Sequence, residues 1–177
     1  RRLLQVGQVA NMGGYFHTVL LTSNGTAVAC GQNGDQQCDI PALESELAYT
    51  QVAAGGYHTV LLRSDGIAVS CGLNSHGQCN IPALEAGLTY TQVAAGYFHT
   101  VLLRSDGAAV ACGLDDDIGQ CSLPALDAGV PYVQVAAGGY HTVLLRSNGT
   151  AVARGLNDDG RCNILPLEKG LTYTQVA

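Results

Sequence analysis

The stretch "QVAAGGYHTVLLRSDG" (Gln51 to Gly66) returns as "QVAAGYFHTVLLRSDG" from Gln92 and as "QVAAGGYHTVLLRSNG" from Gln134. A looser copy, "GGYFHTVLLTSNG", begins at Gly13. The histidines inside the four copies, His17, His58, His99 and His141, stand 41, 41 and 42 residues apart. The extra residue falls in "CGLDDDIGQC", whose siblings read "CGLNSHGQC" and "CGQNGDQQC". A fixed period of about 40 residues means stacked supersecondary units, a solenoid or a propeller. The repeats divide the chain into units at about 8–48, 49–89, 90–131 and 132–172, with 173–177 starting a further unit, all in one repeat domain.

Within a unit, "HTVLLRSDGIAVSCG" is two β-patterned runs around Asp65-Gly66, repeated at Asn24-Gly25, Asp106-Gly107 and Asn148-Gly149. Asn-Gly and Asp-Gly suit a two-residue type I′ hairpin turn. That turn would pair Leu62 with Val69 and Val60 with Cys71. Strand alternation then predicts His58, Val60, Leu62, Val69 and Cys71 on one face, with Thr59, Leu61, Arg63, Ala68 and Ser70 on the other. Both faces are apolar enough to need a neighbouring sheet. "TYTQVAAG" reads as a further strand, and "CNIP" as a short fourth. Segments such as "PALEAGL" are too short for more than one helical turn. Three or four strands per unit is the content of a propeller blade.

These motifs, in the order Gly-Gly-x-His, Leu-x-x-Asp-Gly, a strand ending before Gly, and Asn-x-x-Gly-Gln, resemble the regulator of chromosome condensation repeat, in its short form with Pro soon after Gly-Gln. The resemblance spans essentially the whole chain. It implies an all-β fold, a β-propeller of four-stranded blades, in many members seven. Four repeats supply about four blades of a larger ring. A longer ring, or an arc held against a partner, ranks above closure as a four-bladed ring. The start "LLQVGQVA" and the end "LTYTQVA" read as uncapped strand material, which such repeats bury against neighbours.

The family places Trp before the glycines Gly31, Gly72, Gly113 and Gly155. Here those positions are Cys30, Cys71, Cys112 and Arg154. Losing a buried Trp forgoes burial of about 150 Å² per blade, or about 3–4 kcal/mol at ~25 cal/mol/Å². The family includes an exchange factor for a small GTPase, a plant ultraviolet-B receptor and domains of ubiquitin ligases. Receptor photochemistry uses Trp, and this chain has none.

Composition limits function further. Only 12% of residues are charged, against about 25% in an ordinary soluble domain. Net charge is −6 with eight Lys and Arg, which argues against a nucleic-acid partner. No apolar run approaches the ~18 residues of a membrane span, so membrane insertion is not expected. The combination of low charge and 47% apolar residues instead suits a chain covered by protein partners, as in a large complex.

A residue that recurs in every unit serves what every unit must do, which is fold. His17, His58, His99 and His141 are therefore expected to be buried, to bond backbone groups near the propeller axis and to hold no metal. Gly31, Gly72, Gly113 and Gly155 join them as structural positions. The seven cysteines form local pairs, Cys30/Cys38, Cys71/Cys79 and Cys112/Cys121, with Cys162 left over. Reduced, buried thiols at Cys30, Cys71 and Cys112 are the first expectation; local disulfides and a metal site are the alternatives. Asn24-Gly25-Thr26 and Asn148-Gly149-Thr150 match glycosylation sequons, yet turn chemistry alone explains them.

Function belongs at positions that break the repeat. Asp115, Asp116, Asp117, Arg154 and His76 are the candidate partner contacts, with Ile118, Glu44 to Glu46, Lys169 and the segment Arg1 to Met12 also non-repetitive. No mixed catalytic constellation and no cofactor-binding motif stands outside the repeat. The expected function is a non-catalytic interaction module or scaffold subunit. The alternative is guanine-nucleotide exchange or regulation on a small GTPase.

Overall fold

The computed structural model describes residues 14–115 and 117–177. Among these, every regular element is a strand. A hairpin of β1 (His17–Leu21) and β2 (Ala27–Gly31) is followed by three antiparallel sheets. These are β3 (Tyr49–Ala54), β4 (His58–Arg63) and β5 (Ala68–Gly72); β6 (Tyr90–Ala95), β7 (His99–Arg104) and β8 (Ala109–Gly113); and β9 (Tyr132–Ala137), β10 (His141–Arg146) and β11 (Ala151–Gly155). The segment expected as a fourth strand leaves a turn at Cys79, where Ile81 N donates to the Cys79 carbonyl at 2.9 Å, and joins no sheet among the described residues, so each described sheet has at most three strands. Arg1 to Met12 lie outside the described residues.

The hairpins turn where expected but with different geometry. In β4–β5 the partners are Leu62 with Ala68, Leu61 with Val69, Val60 with Ser70 and Thr59 with Cys71. The loop therefore holds three residues, Ser64, Asp65 and Gly66. The Arg63 carbonyl accepts from Gly66 N at 3.0 Å, and Arg63 N donates to the Ile67 carbonyl at 2.9 Å. Only Gly66 has positive φ, +80°. This is a type I turn closed by a left-handed glycine, and a type I′ turn would need Asp65 left-handed as well. The Asp65 carboxylate accepts from Ile67 N at 3.1 Å, and Asn24, Asp106 and Asn148 do the same in their units. The predicted register is thus off by one, and Val69 and Cys71 move to the face of Thr59 and Leu61.

Among the described residues the cores lie between sheets. Val19 and Ala27 of the first unit pack on Tyr49, Val52, Ala54 and Leu61 of the second. Ala53, Val60, Leu62 and Ala68 of the second pack on Tyr90, Val93, Ala95 and Leu102 of the third. Val101 and Leu103 of the third pack on Tyr132, Val135, Ala137 and Leu144 of the fourth. Strand alternation gives each sheet one face for its predecessor and one for its successor. Each tyrosine also ties units together: the hydroxyls of Tyr49, Tyr90 and Tyr132 donate to the carbonyls of Pro41, Pro82 and Pro124.

Leu20 occupies in the first unit the position of Leu61 in the second. Leu61 is fully buried, whereas Leu20 is 55% exposed. The difference is the neighbour: Leu61 lies against the preceding sheet, and no described sheet lies against Leu20. Cys30 stands on that same face and is exposed, which corrects the expectation that it is buried. Cys71 and Cys112, which have a preceding sheet, are half-buried, and their thiols approach the carbonyls of Gln37 and Gln78. Burial pushes both thiols up to about 11, so they are protonated and poor nucleophiles at neutral pH. All seven cysteines are free. The four units form an arc in chain order, with the first strands of successive sheets in contact along its inner side.

Candidate functional site

Three of the four repeated histidines bond the next sheet, whereas His141, expected to be buried like the others, is half-buried and makes no such bond among the described residues. His17 Nε2 is 2.8 Å from Thr59 Oγ1, His58 Nε2 is 2.9 Å from Thr100 Oγ1, and His99 Nε2 is 3.1 Å from Thr142 Oγ1. Each threonine hydroxyl donates its one proton to a carbonyl of the preceding unit, that of Gln37, Gln78 or Gln120, at 2.7–2.8 Å. It must therefore accept from the imidazole, which fixes the neutral tautomer with hydrogen on Nε2. The partner is a side chain of the next unit rather than the backbone groups expected from the sequence. A hydroxyl reaches this position because Thr59 stands beside His58 on the opposite face, pointing at the previous sheet.

Glycines make room for the rings. A Cβ on Gly55 would lie 2.5 Å from His58 Cε1, and one on Gly96 would lie 2.2 Å from His99 Cε1. Gly31, Gly72, Gly113 and Gly155 have φ between +114° and +123°. A Cβ there would lie 2.6–2.7 Å from the Cα of His17, His58, His99 or His141. Burial, followed by repulsion from His99 and His17, lowers the His58 pKa to about 3. Burial and His141 lower that of His99 to about 4, and burial lowers His17 and His141 as well. Neutral imidazoles spread over four sheets do not form a catalytic constellation. Among the described residues no three His, Cys, Asp or Glu side chains come together to hold a metal.

The repeated loop motif is a clamp. Asn74 Oδ1 accepts from Cys79 N, and Gln78 Oε1 accepts from His76 N, with Gln78 fully buried. Asp115 takes the place of Asn74 in the third unit: one oxygen accepts from Cys121 N and Ser122 N, and the other from Ser122 Oγ. Its carboxylate is occupied within its own loop. Asp117 is exposed, and Asp116 lies outside the described residues. Arg154 is exposed, and among the described residues it bonds only the carbonyl of Ala153. His76 is exposed and meets the edge of Phe98, with ring centroids 5.0 Å apart.

That contact leads to a feature the sequence reading passed over. The residue before each repeated histidine is aromatic: Phe16, Tyr57, Phe98 and Tyr140. In the first and third units the residue before that is aromatic too, Tyr15 and Tyr97. These six rings form one cluster across four units. Tyr57 stacks on Phe98, Tyr97 stacks on Tyr140, and Tyr15 meets Tyr97 edge-on at 5.1 Å. Tyr15 is 72% and Phe16 41% exposed. The carbonyls of Phe16, Tyr57, Phe98 and Tyr140 accept from Gln32, Leu73, Leu114 and Leu156 N, the first residues of the clamp loops. Aromatic cluster and variable loops therefore share one end of the arc. The alternation of "GYFH" with "GGYH" was the available signal.

The opposite end carries the hairpins. Arg63 pairs with Asp65 at 2.5 Å, Arg104 pairs with Asp106, and Arg146 pairs with Asp127 at 3.2 Å. A groove of about 420 Å³ opens between the inner strands, lined by Gln51, Gln92, Gln134, Thr91, Leu103 and Leu145 among others. Its amides are largely engaged in bonding the next sheet: Gln51 bonds Thr91 O and Val93 N, and Gln92 bonds Val135 N. No described helix is long and apolar enough to cross a membrane.

Known proteins share this fold. The family model described as the regulator of chromosome condensation (RCC1) repeat matches residues 13–37, 49–78, 90–117 and 132–161. Yeast RCC1 (Prp20), solved bound to Kap60, is 24% identical with a TM-score of 0.71, covering 88% of this chain and 45% of that one. Human WBSCR16 is 21% identical with a TM-score of 0.69, covering 91% and 48%. The CRINKLY WD40 ectodomain of the Arabidopsis thaliana receptor kinase ACR4 is 23% identical with a TM-score of 0.59, covering 88% and 51%. The chain thus spans about half the length of these solved structures. No curated protein matches the sequence. Four matched repeats covering more than half of the chain, on a fold shared with yeast RCC1, place this protein in the regulator of chromosome condensation repeat family.

Proposed function

We propose that this chain is a non-catalytic propeller segment that binds another protein, as an interaction module or scaffold subunit of a larger assembly. One observation carries the reading. The repeated His and Thr side chains and the strand glutamines Gln51 and Gln92 bond neighbouring sheets, while the exposed non-repetitive groups His76, Asp117 and Arg154 and the aromatic cluster gather at one end. Surfaces that combine exposed aromatics with variable polar groups are typical of protein recognition. The yeast relative was solved with a protein partner, and a second structure of it concerns binding to Gsp1p and histones.

The same experiment tests this reading and nucleotide exchange. The chain is used as bait for protein partners and, separately, added to small GTPases loaded with labelled GDP. Specific capture that weakens when His76, Asp117 and Arg154 are all changed to Ala, without acceleration of GDP release, is the expected result. Accelerated release would replace it with the exchange function.

A further inference from the structure

We infer that the aromatic end of the arc is a docking platform for a basic peptide segment, one rich in Lys or Arg. The inference rests on the reading of the chain as a protein-binding module and adds the chemistry of the partner. Its first support is shape and composition. Tyr15, Phe16, Tyr57, Tyr97, Phe98 and Tyr140 form a continuous set of rings, and the two at the first unit are exposed. A ring face carries negative charge density and attracts ammonium and guanidinium groups.

The second support is the sorting of charge. The loops that begin at the carbonyls of the aromatic residues carry Asp35, Asp39, Asp117, Asp158 and Asp159. Among the described residues, the fixed cations at this end are Arg154 and Arg161, and Arg161 is paired with Asp159. The other three arginines of the repeats, Arg63, Arg104 and Arg146, are held in ion pairs at the hairpin end. The aromatic platform therefore sits inside a rim on which carboxylates outnumber the cations Arg154 and Arg161, while three further arginines are held at the hairpin end. An acidic or purely apolar partner would meet repulsion or unpaired carboxylates there. A basic segment meets both the rim and the rings favourably. Asp115 is excluded from the recognition set, because its loop already uses both oxygens.

The test uses a fluorescein-labelled peptide of twelve residues alternating Lys or Arg with Gly or Ser, and a twin with Glu in place of every cation. The expected result is saturable binding of the basic peptide alone, weaker at high salt. Because the chain has eight Tyr and no Trp, its own tyrosine emission should change on binding. The double change Tyr15→Ala and Phe16→Ala should weaken binding about fivefold or more while leaving its salt dependence in place. Changing Asp117 and Asp158 to Asn should weaken binding and flatten the salt dependence. The inference is overturned by absence of binding, by equal binding of the Glu twin, or by binding that ignores loss of Tyr15 and Phe16 with no change in tyrosine emission. If the peptide fails while the chain still captures a protein through His76, Asp117 and Arg154, only the basic chemistry falls. If neither binds, the interaction reading falls with it.

Discussion

Replacing His58 with Ala is expected to cost about 3–4 kcal/mol of stability, whereas replacing His76 with Ala should cost about 0.5 kcal/mol or less. The two residues are of one type and lie eighteen positions apart, but their surroundings differ completely. His58 is fully buried, fills the space above Gly55 and donates to Thr100 of the next sheet. Truncation leaves a ring-sized cavity between two sheets and removes one of the few polar ties across that boundary. The flanking core cannot collapse into the gap easily, because Gly55 and Gly96 already hold the backbones in near contact. His76 is exposed and stands on a loop. Urea unfolding of both variants measures the difference. Equal effects, or a loss at His58 under about 1 kcal/mol, would remove the histidine ladder from the account of what holds successive sheets together.

Acidification should destabilise the fold well above the range in which carboxylates protonate. His58 and His99 titrate near 6.5 when unfolded and at about 3 and about 4 when folded. Between those limits the unfolded chain binds more protons, so stability falls as pH falls. The contribution is fully present above about pH 6.5 and is lost progressively below it. Each histidine supplies a slope of up to about 1.4 kcal/mol per pH unit, so the pair should remove about 4 kcal/mol between pH 7.5 and pH 5. His17 and His141 shift in the same direction and steepen the fall. The cause is burial first, with repulsion between neighbouring imidazoles second. Urea midpoints measured across this range should drop steadily with decreasing pH. Midpoints that stay flat from pH 7.5 to pH 5 would show that the histidines are not buried as neutral groups.

What could be read from the sequence was what repeats. The period, the hairpins, the all-β content and the placement of four histidines at equivalent points all follow from local pattern. The strand register did not follow, because Asp-Gly marks both a two-residue turn and a three-residue loop ending in a left-handed glycine. Ser64 in the turn carries no signal that separates them. The bonds of His58 to Thr100 and of Thr100 to Gln78 join residues 42 and 22 positions apart, and only stacking of the units reveals them. Cys30 reads like Cys71 and Cys112 in sequence, yet it is exposed because burial of that face depends on a preceding sheet. Asp115 is a candidate partner contact in the sequence because it belongs to a run of three carboxylates in the one loop with an extra residue. In the fold it does the work of an Asn in the other clamp loops. The aromatic cluster was hidden for the opposite reason. Tyr and Phe beside a glycine bend look like ordinary strand entry, and their convergence across four units is a property of the arc.

We propose that this chain meets a protein partner with its aromatic, loop-bearing end, while the regular positions hold the sheets together. Hydrogen exchange of the chain with a captured partner bound tests it most directly. The account predicts slowed exchange at 15–16, 73–78, 97–98 and 114–122, with the hairpin turns at 64–67 and 105–108 unchanged. Protection confined to the hairpin turns, with the aromatic end exchanging as in the free chain, would contradict it.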